Sequence, residues 1–289
     1  MNTNSNTYTV IYSIILVVIV AAVLAFAAMF LKPTQDANVK KDTIGQILTA
    51  ATVEGEDILA TYQENIEKAI LVDINGEEVG TLDIESCEVY GTSDLKKQIA
   101  AEQKALPVYI FKNGITVVPC YGAGLWGPIW GYVGLEGDLK TIKAVRFGHK
   151  GETPGLGAKI SDDPSFAEAF VGKTVGEGEV LFEITKPANR VTENNGVDAI
   201  SGATITSQAL GKTLNQWFGF YQNYFAKNAA YNNMTDLNEL FLRTTLGDEL
   251  YEKIKDEPML TIEDLKNMLG EEVIEKMLSD VEPVNTVEE

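Results

Sequence analysis

Asp198-Ala-Ile-Ser-Gly-Ala-Thr204, followed at once by Ile205-Thr-Ser-Gln-Ala-Leu210, is a short polar turn that opens a long helix. Apolar residues recur at Leu210, Leu214, Trp217, Phe218, Tyr221 and Phe225, giving one broad apolar face from about Ser201 to Lys227. Such a face has to be buried against another layer. At its start Ser201 is placed to cap, Gly202 and Ala203 leave the backbone open to close approach, and Thr204 puts a hydroxyl at the helix N-terminus. Unpaired N–H groups and the positive end of the helix dipole suit that place to a phosphate. Taken alone, the run reads equally well as a helix start that holds no ligand.

The layer against which this helix packs lies upstream. Ala69 to Ile74 and Glu78 to Ile84 flank Asn75-Gly76, and Val108 to Phe111 and Ile115 to Val118 flank Asn113-Gly114. Asn-Gly tolerates positive φ at both positions, so each pair of apolar runs reads as a hairpin. Ile142 to Phe147 and Val180 to Ile184 are further strands, and Asp162 to Val171 a short helix. Thr43 to Ile66 has helical spacing broken at Gly55. Hairpins with separate helices predict an α+β fold, an antiparallel sheet with flanking helices.

Ahead of this domain, Val10 to Leu31 is almost wholly apolar. About 22 residues at 1.5 Å each cover ~33 Å, enough to cross a bilayer. The residues before it carry no side-chain charge and the run exceeds a signal-peptide core, so residues 10–31 read as a retained anchor, although Ala25, Ala27 and Ala28 leave a cleavage site open. The expected domains are therefore 1–32 (anchor), 33–42 (polar linker), 43–230 (main domain) and 231–289 (acidic helical extension). Two acidic helices are expected in the extension, over 235–255 and 261–278. From Asp236 onward it holds sixteen acidic residues against five basic ones.

The net charge of −19 leaves no basic surface for nucleic acid. Two cysteines, Cys87 and Cys120, and one histidine, His149, offer no metal-ligand spacing. The cysteines read as buried free thiols, with an oxidised pair as the alternative.

Two glycine-rich segments remain. Tyr121-Gly-Ala-Gly-Leu-Trp-Gly-Pro-Ile-Trp-Gly-Tyr-Val-Gly134 reads either as a glycine-bent β segment or as a backbone open to a flat ligand, with tryptophan as its wall. Its spacing is not that of a dinucleotide-binding fingerprint. His149-Lys-Gly-Glu-Thr-Pro-Gly-Leu-Gly157 is a loop with backbone N–H groups free to face a ligand. His149 reads as a packed or surface residue before it reads as a proton donor.

In this order behind one anchor, G-A-G-L-W-G, H-x-G-E-T-P-G-L-G and D-A-I-S-G-A-T resemble the FMN-binding domain family. Over residues 1 to about 228 the likeness is to the C subunit of the sodium-translocating NADH:quinone oxidoreductase. The resemblance implies FMN joined by a phosphodiester bond to Thr204, placed there by a flavin transferase that uses FAD, with Thr206 the next hydroxyl to consider. It implies Trp126, Glu152, Thr153, Gly155 and Leu156 beside the isoalloxazine ring. Ser201, Gly202 and Ala203 would bracket the phosphate, with Lys186 near it.

It further implies an electron-carrying subunit, not active alone, among partner subunits of a multi-subunit complex in the bacterial inner membrane. Such a protein crosses the bilayer once and holds its large domain in the periplasm. Lys32, Lys40 and Lys41 behind the anchor argue weakly for the opposite orientation. The G subunit of the Rnf complex, or an anchored binding protein with the flavin site unused, are the alternative readings.

Overall fold

The computed structural model describes residues 6–176, 178, 180–186 and 194–246. The chain divides into Met1–Ala229 and Ala230–Glu289. In the first unit, helix α1 (Asn6–Ala50) is followed by α2 (Ile58–Asn65), β1 (Ile66–Val72), β2 (Glu78–Thr81), α3 (Thr92–Ala100), β3 (Leu106–Phe111), β4 (Thr116–Ala123), β5 (Pro128–Leu135) and β6 (Ile142–His149). Then come α4 (Lys159–Asp162), α5 (Pro164–Glu168), β7 (Glu183–Thr185), β8 (Gly196–Asp198) and α6 (Thr204–Leu246). Of the second unit, the described residues are those of α6 up to Leu246. The first acidic helix expected in the extension lies partly, and the second wholly, outside the described residues.

Six strands form one sheet in the order β2-β1-β3-β4-β5-β6, every neighbouring pair antiparallel, so the α+β expectation holds. Strands β7 and β8 pair separately and in parallel. Alternation along the strands divides the core in two. On β3, Leu106 and Val108 face one cluster while Tyr109 and Phe111 face the other. The first cluster takes the aromatic face of α6, from Leu210 through Trp217 to Phe225. The second takes the end of α1, through Ile44, Ile47, Leu48, Ala50 and Ala51, together with Tyr62 of α2.

Both Asn-Gly turns close hairpins, with Gly76 and Gly114 at φ +78° and +82°. The break near Gly55 separates α1 from α2, whose start is capped by Asp57 accepting from the N–H groups of Leu59 and Ala60. Residues 33–42, expected as a linker, are helical: α1 runs through Pro33 without ending. Its apolar first part is long enough to cross a membrane, and its last turns belong to the domain core. Gly134 permits that docking, since a Cβ there would run into the Ala50 carbonyl.

Candidate functional site

The long helix begins at Thr204, not Ser201. Gly202 sits at φ +79°, outside helical geometry, and so the turn ends there. Ser201 is exposed and does not serve as the cap. Ser207 braces the turn from inside the helix instead: its Oγ accepts from Ile200 N–H (3.0 Å) and donates to the Ala203 carbonyl (2.9 Å). Thr204 is therefore the first helical residue, half-exposed, with Ser201 and Gly202 open to solvent and Ala203 buried. Among the described residues no hydrogen bond ties the Thr204 hydroxyl.

Thr206, two residues on, is the opposite case. It is 1% exposed, and its Oγ1 donates to Glu152 Oε2 at 2.7 Å. The other carboxylate oxygen, Oε1, accepts from the backbone N–H of Trp126 at 2.9 Å. Glu152 itself is 4% exposed, so its carboxylate faces these partners and not open space. Two glycines make the niche: a Cβ on Gly124 would stand 2.5 Å from Oε1, and one on Gly157 would stand 2.5 Å from Oε2. The loop between β4 and β5, the loop after β6 and the first turn of α6 thus meet at one side chain.

Around that junction the outer surface is apolar. Trp126 is 69% exposed and Ile205 59%, with Leu125 and Leu156 also exposed. Leu156 lies against the turn, its Cδ2 3.0 Å from where a Gly202 Cβ would be. Thr153 and Gly155 are exposed on the same loop, whose shape is set by the Thr153 carbonyl accepting from the N–H groups of Leu156 and Ala158. Lys186 is exposed and follows Thr185, which pairs with Asp198 in the β7–β8 ladder, so it stands at the entrance to the turn. A cavity of about 380 Å³ adjoins Ser201 and is lined also by Lys159, Ser165, Lys173, Asp198 and Ile200.

His149 belongs to the scaffold. Its Nδ1 accepts the Glu152 backbone N–H at 3.2 Å, which braces the loop and leaves that nitrogen without a proton to give. Both cysteines are free and buried, on opposite sides of the sheet. Burial pushes the Cys120 thiol up to about 12 and raises that of Cys87.

The FMN-binding domain family model matches residues 124–219, from the Gly124 loop to the middle of α6. The C subunit of the Na(+)-translocating NADH-quinone reductase of Haemophilus ducreyi is 34% identical over 234 residues, covering 74% of this chain and 90% of that protein. The chain belongs to this C-subunit family. The C subunit from Neisseria meningitidis serogroup B is 32% identical over 70% of this chain and 85% of its own length. Among solved structures, the C subunit from Parabacteroides distasonis superposes with a TM-score of 0.58 at 35% identity, covering 68% of this chain and 96% of that one. NqrC of Shewanella oneidensis gives a TM-score of 0.56 at 28% identity, covering 67% of this chain and 99% of its own.

The residues present fit a flavin nucleotide. An FMN-binding domain needs an apolar wall for a flat ring and a polar end for a phosphate. Here exposed Trp126, Leu156 and Ile205 stand beside a helix N-terminus carrying a hydroxyl. Sequence reasoning placed Thr204 and the two loops but missed the roles of Thr206, Ser207, Gly124 and Gly157. The glycines left a trace in the density of glycine around Trp126 and Leu156. The two hydroxyls left none beyond their place in the first turn.

Proposed function

We propose that this chain is the membrane-anchored, FMN-carrying subunit of a sodium-translocating NADH:quinone oxidoreductase. In this reading FMN is held as a phosphodiester on Thr204, and electrons pass between partner subunits toward quinone, coupled to sodium export. The observation that carries the proposal is the contrast among neighbouring hydroxyls. Thr204 is half-exposed at the helix N-terminus, while Thr206 and Ser207 are buried and engaged.

Thr204 Oγ1 would lose its proton and form the O–P bond, with the pyrophosphate bond of FAD breaking and AMP leaving on a flavin transferase. The Gly202 N–H, the Ser201 hydroxyl and Lys186 would hold the resulting phosphodiester, with Ala203, whose N–H is given to the Ile200 carbonyl, shaping the turn beside it. Trp126, Leu156, Thr153 and Gly155 would line the ring and exclude water from its face, with the Glu152 backbone continuing that wall. When bound, FMN supplies the electron-transfer chemistry, and the protein supplies position and electrostatics.

The anchor α1 would cross the inner membrane once and hold the domain on the periplasmic side. A covalent tether is most useful there, because a dissociable flavin would be lost. The apolar span of α1 carries no acidic residue, so sodium would cross through partner subunits.

Thr204→Val tests the attachment, since it removes the hydroxyl while nearly keeping the shape. The wild-type chain, produced with a flavin transferase, should carry the mass of one FMN and fluoresce in a denaturing gel. The variant should do neither while melting cooperatively, and a fluorescent variant band would overturn the assignment.

A further inference from the structure

We propose that Glu152 and Thr206 are positioning residues for flavin attachment, a clamp that fixes the aromatic wall and the accepting hydroxyl relative to each other. This rests on Thr204 as the attachment residue and goes beyond it, because neither member of the clamp receives the phosphate.

The two walls of the cradle come from distant parts of the chain. Trp126 lies 26 positions before Glu152 and Thr206 lies 54 after it. Loops joined only by surface contacts would be free to shift by an ångström or more. Here one carboxylate holds both, with Oε1 on the Trp126 N–H and Oε2 on the Thr206 hydroxyl. Thr206 is in the same helical turn as Thr204, so holding the one holds the other.

The niche is built for a carboxylate. Gly124 and Gly157 each leave the space that a Cβ would take from one of its oxygens. No ion pair to Glu152 exists among the described residues. A buried anion without a cation is costly unless its oxygens are hydrogen-bonded. Two short bonds and the positive end of α6 meet that cost together.

The clamp also settles which hydroxyl reacts. Thr206 has the same chemistry as Thr204 two residues away, but its hydroxyl donates a hydrogen bond to Glu152 and its oxygen is buried. Of the two threonines only Thr204 is left to meet an incoming pyrophosphate.

The test uses the full-length chain produced with a limiting amount of flavin transferase, with the flavinylated fraction followed in time by mass and the melt recorded in parallel. A misplacement of about 1 Å costs up to ~100-fold in rate, so Glu152→Ala and Thr206→Val should load at least ~10-fold more slowly than wild type while still melting cooperatively. Glu152→Gln rebuilds both bonds, Oε1 accepting from Trp126 and Nε2 donating to Thr206, and Thr206→Ser keeps the donor. Both should load within about twofold of wild type.

Wild-type loading by Glu152→Ala, with Thr204→Val blank, overturns the clamp and leaves the attachment reading standing. Loading by Thr204→Val overturns the attachment reading itself. Glu152→Gln as slow as Glu152→Ala also overturns the clamp, because the bonds are then not what matters. Should Glu152→Ala fail to fold, the Thr206→Val and Thr206→Ser pair decides: equal loading of the two overturns the proposal, and slow Val with normal Ser upholds it.

Discussion

The domain begins inside helix α1, and a truncation series locates its start. Ile44 and Ile47 are fully buried and Leu48 nearly so, all in the cluster with Tyr62, Phe111 and Tyr132. Polar contacts fix the same segment: Trp130 Nε1 donates to Gln46 Oε1 at 3.0 Å, and Asn113 Nδ2 to the Ala51 carbonyl at 2.9 Å. Replacing one buried isoleucine by alanine costs about 3 kcal/mol. For a domain of this size each kcal/mol lowers the melting temperature by roughly 2–4 °C, so Ile47→Ala in a fragment starting at Asp42 should melt ~6–12 °C below its parent. Thr49→Ala, on the exposed side of the same turn, should stay within about 0.5 kcal/mol. A fragment starting at Glu56 lacks all three large aliphatics. At about 3 kcal/mol each that loss approaches ~9 kcal/mol, comparable with the whole stability of a typical domain, and no cooperative melt is expected. Circular dichroism against temperature reads all four proteins. If the fragment from Glu56 melts cooperatively within a few degrees of the one from Asp42, the end of α1 is an appendage and the reasoning fails.

Gly134→Ala drives a Cβ into the Ala50 carbonyl and should cost about 2 kcal/mol, visible as a lowered melting temperature, whereas an unchanged melt would show that the helix end can move aside. If the domain faces the periplasm, protease added to intact spheroplasts should cleave it; cleavage only after the inner membrane is broken would reverse the topology in favour of Lys32, Lys40 and Lys41.

What the sequence made legible is what local chemistry determines. Asn75-Gly76 and Asn113-Gly114 marked two hairpins because each turn needs one residue at positive φ and its glycine supplies it, and the six apolar positions of α6 marked its face because burial demands that spacing. Strand β5 was legible only as one of two readings of Tyr121 to Gly134, because its own glycines weaken any β signal while giving room to neighbours such as the end of α1. Helix α3 escaped notice because Leu95 is its single buried residue, too little for a periodicity. The helical course of α1 through Pro33 ran against propensity, since proline inside a helix loses a hydrogen bond and crowds the preceding turn. An apolar run on one side and a docked terminus on the other hold the helix across it.

The site divides along the same line. A half-exposed threonine in a D-x-x-S-G-A-T run is readable because the motif is contiguous. Which of the hydroxyls at Thr204, Thr206 and Ser207 is free depends on partners that the motif does not contain. Ser207 is engaged by the turn it follows, a local bond that a reader could anticipate. Thr206 is engaged by a carboxylate in another loop, in a niche opened by glycines in two loops. A single contact across 54 positions has no period and no composition, so nothing in one sequence announces it. Yet both loops around it were singled out for their glycines and aromatics, and the fold accounts for two of those glycines, Gly124 and Gly157, whose missing side chains leave the space of the carboxylate. Two chain segments can close on one buried carboxylate only where side chains are absent. Part of the composition of these loops is thus set by the carboxylate buried behind them.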